Sequence, residues 1–139
     1  MVEAQVSVHE AGCVVRPARG SASTKVGGGV LEHPSDSSLF KHCSLPNPGA
    51  PPDEHGGFTL AVKQVSWGHL CAKPTWLYIV GVPLELAQAG VRIGGEETHI
   101  VTNGPRGKQH LPRANAFQIR VTPPAFRDWL IDLARASQR

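Results

Sequence analysis

From residue 98 to residue 127 the chain contains no Asp or Glu, while Arg106, Lys108, Arg113, Arg120 and Arg127 all fall in that stretch. Residues 26–62 are the reverse, with Glu32, Asp36, Asp53 and Glu54 against Lys41 alone. The formal net charge of +3 hides this asymmetry. A one-sided cationic segment suits a phosphate-bearing partner. Cysteine is scarce: Cys13, Cys43 and Cys71 are an odd number with no C-x-x-C spacing, which excludes both a disulfide framework and a zinc ribbon and points to a reducing cytosol. Long apolar runs are missing as well. The longest, residues 76–82, is interrupted by Gly81 and stopped by Pro83, far short of the roughly 18 residues that read as a membrane span. The first ten residues carry Glu3 and Glu10 and lack the basic-then-apolar order of a signal peptide. The expectation is a soluble protein in the cytoplasm.

What is abundant is glycine and proline, 15 and 12 in 139 residues, a composition that folds as one domain with many loops. Val2, Ala4, Val6 and Val8 alternate as a strand does, and residues 16–23 read as a connector, so 1–25 is expected to be a variable arm ahead of a single domain over 26–139. Val30-Leu31 reads as the end of a buried strand with Glu32, His33 and Pro34 at its edge. Ser35 and Asp36 suit the start of a short helix ending near Cys43. Residues 44–57 hold four prolines and three glycines and predict a surface loop. Phe58, Leu60 and Val62 alternate with Thr59, Ala61 and Lys63 as in a strand, and a turn follows at Trp67-Gly68-His69. Thr75-Trp76-Leu77-Tyr78-Ile79-Val80 predicts a strand covered on both faces, with Trp76 in the core.

Residues 83–88 suit a helical turn, and 91–93 and 99–102 suit short strands. Near the end, Thr122 is placed to cap, Pro123 and Pro124 to start, and Phe126, Trp129, Leu130 and Leu133 to line one face of a helix over about 123–137. The order of elements is that of an α/β layer structure.

Several chemistries lack their residues. His69 and Cys71 stand two apart, yet no second ligand pair accompanies them, so the seven histidines read as scattered and no metal site is expected. No small-residue frame surrounds any cysteine, which argues against a thiol nucleophile. Gly27-Gly28-Gly29 lacks the Lys and Ser/Thr of a phosphate loop and precedes a strand instead of a helix. No catalytic residue and no cofactor is expected. Glu32, at the carboxyl end of a strand, holds the position where α/β sheets place ligands.

Several blocks together, Gly28-Gly29-Val30-Leu31-Glu32-His33-Pro34, Gly56-Gly57-Phe58-Thr59-Leu60-Ala61-Val62-Lys63-Gln64, Trp67-Gly68-His69 with Lys73 to Gly81, and Thr122-Pro123-Pro124-Ala125-Phe126-Arg127-Asp128-Trp129-Leu130-Ile131, resemble a family of phage and prophage proteins. Those proteins resemble the carboxyl-terminal half of cytosine-5 DNA methyltransferases, Leu31-Glu32-His33-Pro34 standing for a Glu-Asn-Val strand end and the segment from Trp67 to Gly81 for a later Tyr-Gly-x-Pro-Gln block. His33 departs from the asparagine of that pattern, and Lys73 and Thr75 from its arginines. A glycine-rich cofactor loop and a Pro-Cys nucleophile are missing. The resemblance implies a partial methyltransferase-like α/β sheet with a terminal amphipathic helix and no catalysis of its own.

The expected role is a module that associates with nucleic acid or a protein partner. Glu32 and His33 are the candidates to hold a base edge or ligand. Lys73, Arg106, Lys108 and Arg113 are the candidates for nucleic-acid backbone, and Trp67 for packing or base stacking. DNA is the leading partner, in a bacterial host's cytoplasm. The alternatives are a host protein captured and inhibited through loop 44–57 or arm 1–25, and a separately encoded amino-terminal half completing a split enzyme. An incomplete sheet also predicts a homodimer.

Overall fold

The period-two alternation over Phe58–Lys63 folds as a strand, as its pattern predicts. The computed structural model describes residues 5–9, 12–16, 28–101 and 110–137. Strand β1 (Gln5–His9) pairs antiparallel with β2 (Gly12–Arg16), His9 opposite Gly12, so the alternation near the amino terminus belongs to a pair of strands within the variable arm, of which the sequence pattern marks only the first.

The second sheet has three strands, β3 (Gly29–Pro34), β4 (Phe58–Lys63) and β5 (Pro74–Val80), in the order β3-β5-β4 and antiparallel throughout. The fold class is mixed α/β, a small sheet with a carboxyl-terminal helix. β5 is buried on both faces because it lies in the centre, not because the sheet is parallel. Helix α4 (Pro124–Ala136) covers one face: Phe126 and Leu133 are buried against Val30, Phe58, Leu77 and Ile79, with Trp129 and Leu130 partly buried beside them. Each fully buried side chain of this size contributes roughly 1.5–3 kcal/mol. Pro123 takes the cap position and Pro124 the first turn, where a missing N–H costs nothing, so Thr122 lies outside the helix it was expected to cap. The opposite face carries Tyr78 and Val80 beneath Phe40 of α1 (Leu39–His42), and Trp76 meets Phe40 edge to face at 5.3 Å. α1 begins later than Ser35 and Asp36 suggested: Ser38 takes the cap position, and Ser37 Oγ accepts the Leu39 N–H at 3.2 Å.

A 3-10 turn at Gln64–Trp67 follows β4 and ends at Gly68, whose φ of 100° is the left-handed geometry that suits glycine. Pro83 leads into α2 (Leu84–Ala89). Residues 91–93 form no strand: the segment runs into Gly94 and Gly95 at φ 98° and 90°, and Ile93 is 96% exposed, so nothing pairs with it. Residues 99–102 shrink to one parallel bridge, Ile100 with Arg113, position 102 lying outside the described residues. Cys43 is disulfide-bonded while Cys71 is a buried free thiol, which corrects the expectation of three reduced cysteines. No helix among the described residues is long and apolar enough to cross a membrane.

Candidate binding surface

Asn115 opens a helix that the sequence reading missed, α3 (Ala116–Arg120). Its Oδ1 accepts the Gln118 N–H at 2.8 Å, and Gln118 Oε1 accepts the Asn115 N–H at 2.9 Å, a reciprocal capping box. The Asn-x-x-Gln spacing was the available signal, but five residues are too few to show an apolar period. The helix presents Phe117 with 76% of its surface exposed, between exposed Arg113 and Arg120 and near exposed Val121. Beside it runs an apolar groove of about 310 Å³ lined by Trp67, Leu70, Phe117, Val121 and Pro124.

His69 fastens α3 to the rest of the fold. Its Nδ1 accepts the Cys71 N–H at 2.9 Å, which leaves Nε2 to carry the proton toward Ile119 O at 3.3 Å. Burial, helped by the positive charge of Lys73, lowers the His69 pKa and keeps the ring neutral in this role. Among the described residues Arg113 and Arg120 make no ion pair, and the Arg127 guanidinium pairs with its neighbour Asp128 at 3.3 Å.

The residues singled out in the sequence separate in space. Trp67 is 5% exposed, stacked on Trp129 at a centroid distance of 4.9 Å and edge-on to Phe126 at 5.1 Å, so its ring is core and unavailable to a base. The isolated Trp-Gly-His turn carried no sign of that burial. Arg106 and Lys108 lie outside the described residues. Lys73 is partly exposed and holds a φ of 46°, at the turn between the 3-10 segment and β5.

Glu32 and His33 point to opposite faces of β3. Glu32 is exposed, and its Oε1 accepts the Gln64 Nε2–H at 3.2 Å; Gln64, 1% exposed, also donates to Thr75 Oγ1 at 3.0 Å. Thr75 Oγ1 in turn donates to Lys73 O at 3.1 Å. The carboxylate is thus anchored at the sheet edge by a buried amide, not lodged in a crevice at the end of a parallel strand. His33 is half-buried beside Trp76, its Nδ1 among the buried polar atoms without a hydrogen bond. The two do not form a shared site.

A second concavity, of about 510 Å³, lies between the end of β4, the start of β5 and residues 91–97. Ser66 Oγ donates to Gly94 O at 2.5 Å, and Glu97 Oε2 accepts the Ala72 N–H at 3.3 Å, which tie that loop down on two sides. Among the described residues, no three His, Cys, Asp or Glu side chains gather where a metal ion would be held. No family model matches the chain, nor does any curated protein or solved structure.

Proposed function

We propose that this chain is a binding module, without catalysis of its own, that engages single-stranded nucleic acid through its acid-free segment. The observation that carries the reading is Phe117, an aromatic ring 76% exposed that lies in sequence between Arg113 and Arg120, two arginines with no ion pair among the described residues, where no carboxylate occurs for some thirty residues of sequence. A strand of DNA or RNA offers phosphates to Arg113 and Arg120 and a base face to Phe117, the combination on which sequence-tolerant single-strand binding is built. Lys73, Arg106 and Lys108 stay candidates for further phosphate contacts in this reading. The methyltransferase-like ancestry suggested by the sequence blocks stays part of the proposal as an origin; the non-catalytic part rests on the lack of a Pro-Cys pair in this chain.

The test is fluorescence anisotropy of a labelled oligo-dT with salt titration. Binding is expected, with log affinity falling by about 0.7 per log unit of salt for each phosphate neutralised. Phe117→Ala is expected to cost about 1–3 kcal/mol, the range for one base stacked on an aromatic. A flat salt dependence, or full binding by Phe117→Ala, refutes the reading. Salt-tolerant capture of a single host protein in place of the oligonucleotide would transfer the role to an inhibitor. The reading implies the cytoplasm of a bacterial host.

A further inference from the structure

Two hydrogen bonds fix which backbone groups of the three-stranded sheet look outward. Ser35 N–H reaches Pro74 O, and Gln64 N–H reaches Lys73 O, each at 3.2 Å. With the observed registers, even-numbered residues of β5 bond β3 and odd-numbered ones bond β4. On β4, therefore, Phe58, Leu60 and Val62 turn their N–H and C=O groups toward β5, and Thr59, Ala61 and Lys63 turn theirs away. Thr59 is buried, whereas Ala61 and Lys63 are exposed; among the described residues the outward N–H and C=O of Ala61 have no partner, and Lys63, whose C=O accepts the first bond of the 3-10 turn, keeps only its N–H open. The other edge of the sheet is blunted: Pro34, outward on β3 by the same parity, has no N–H to offer.

The open stretch of β4 borders the 510 Å³ cleft. Ala61, Pro74 and Trp76 supply apolar wall, and the Gly94-Gly95 loop stands opposite, already fixed by Ser66. Lys63 and Arg92 are balanced there by Glu96 and Glu97, so the cleft has no net charge with which to select a ligand. Main-chain donors and acceptors beside a side-chain-sized hollow suit a ligand that is itself a strand.

We infer that the β4 edge and its cleft form a docking site for an extended, uncharged peptide segment of a partner protein, added as a fourth strand with one apolar side chain seated toward Trp76. This surface is separate from Phe117, and its chemistry predicts binding that salt does not weaken.

The probe is fluorescein-labelled Thr-Val-Thr-Val-Thr-amide, read by polarisation at low and high salt against full-length protein. Saturable binding at both salt levels is expected. The same peptide methylated on alternate backbone nitrogens, so that it keeps its side chains and loses its donors, should bind about tenfold more weakly or worse, the ratio equal to 1.4 kcal/mol. Ala61→Pro, which removes an outward N–H and leaves the bonds to β5 intact, should have the same effect while oligo-dT binding persists. Equal binding of the methylated and unmethylated peptides, or no binding by either, overturns the inference without reference to whether Ala61→Pro folds. A two-chain mass in light scattering that Ala61→Pro halves also overturns it, by assigning the edge to a second copy.

Discussion

Tyr78 Oη donates to Asp53 Oδ2 at 2.5 Å, so the most buried aromatic of the central strand holds the proline-rich loop through a single carboxylate. Asp53 also accepts the N–H groups of Gly57 at 2.8 Å and His55 at 2.9 Å, which closes the loop on itself before tying it to the sheet.

This anchor makes stability sensitive to pH from both sides. Burial alone would raise the Asp53 pKa, but the bonds from Tyr78, Gly57 and His55 together overcome it and hold the carboxyl below its ordinary 3.8. A depressed folded pKa contributes stability that is complete above the unfolded value and is lost as pH falls through the folded one. The Tyr78 phenol is shifted upward from 10, by burial first and then by Asp53, so its contribution is complete below pH 10 and lost as the solution becomes more alkaline. Denaturant midpoints across pH should fall at both ends. Tyr78→Phe should lower stability by about 1.5–3 kcal/mol near neutrality, the range for a bond to a charged acceptor, and should flatten the alkaline limb.

Gly57 sits where a methyl group would enter the Tyr78 ring itself. Gly57→Ala is expected to destabilise by about 1–3 kcal/mol through overpacking. Gly49→Ala serves as the control for position: its Cβ meets nothing, although its φ of 83° carries the separate strain of the left-handed region. Thermal melts of the two variants compare crowding with strain.

Trp67 and Trp129 are one stacked unit of the core. Trp67→Ala should cost about 3–5 kcal/mol in urea unfolding. Trp67→Phe, which keeps most of the packing, should retain oligo-dT binding, whereas Phe117→Ala should lose it with little change in stability. Loss of binding by Trp67→Phe with unchanged melting would restore the tryptophan to the nucleic-acid surface.

Cys71 is 1% exposed, and burial first, then Glu97, pushes its thiol pKa upward. Both effects suppress the thiolate that alkylating reagents attack. Iodoacetamide with mass spectrometry should leave Cys71 unmodified in the native protein and label it fully in urea. Rapid native labelling would contradict its placement.

His69 loses its acceptor role when protonated, because Nδ1 then carries a hydrogen facing the Cys71 N–H. Its folded pKa lies below 6.5, so the stability it contributes is present above that value and lost as pH falls through the folded one. Amide exchange in α3 should accelerate over that acidic range more than exchange in α4, and His69→Ala should abolish the difference.

Much of this architecture was written locally. The alternation of Phe58, Leu60 and Val62, the continuous apolar run around Leu77 and the four-residue stripe of α4 each specify an element because the pattern that buries a face lies within one short segment. The acid-free tract was equally legible, since charge is read by counting. The long-range partners were not. That β5 runs between β3 and β4 and antiparallel to both, that Trp67 stacks under Trp129 from the far end of the chain, and that Glu32 is held by Gln64 all depend on which segments meet after collapse. Burial and edge position are properties of such meetings, which is why one aromatic chosen for stacking proved to be core, another left unremarked proved to be surface, and the open edge at Ala61 emerged only from the pairing of strands.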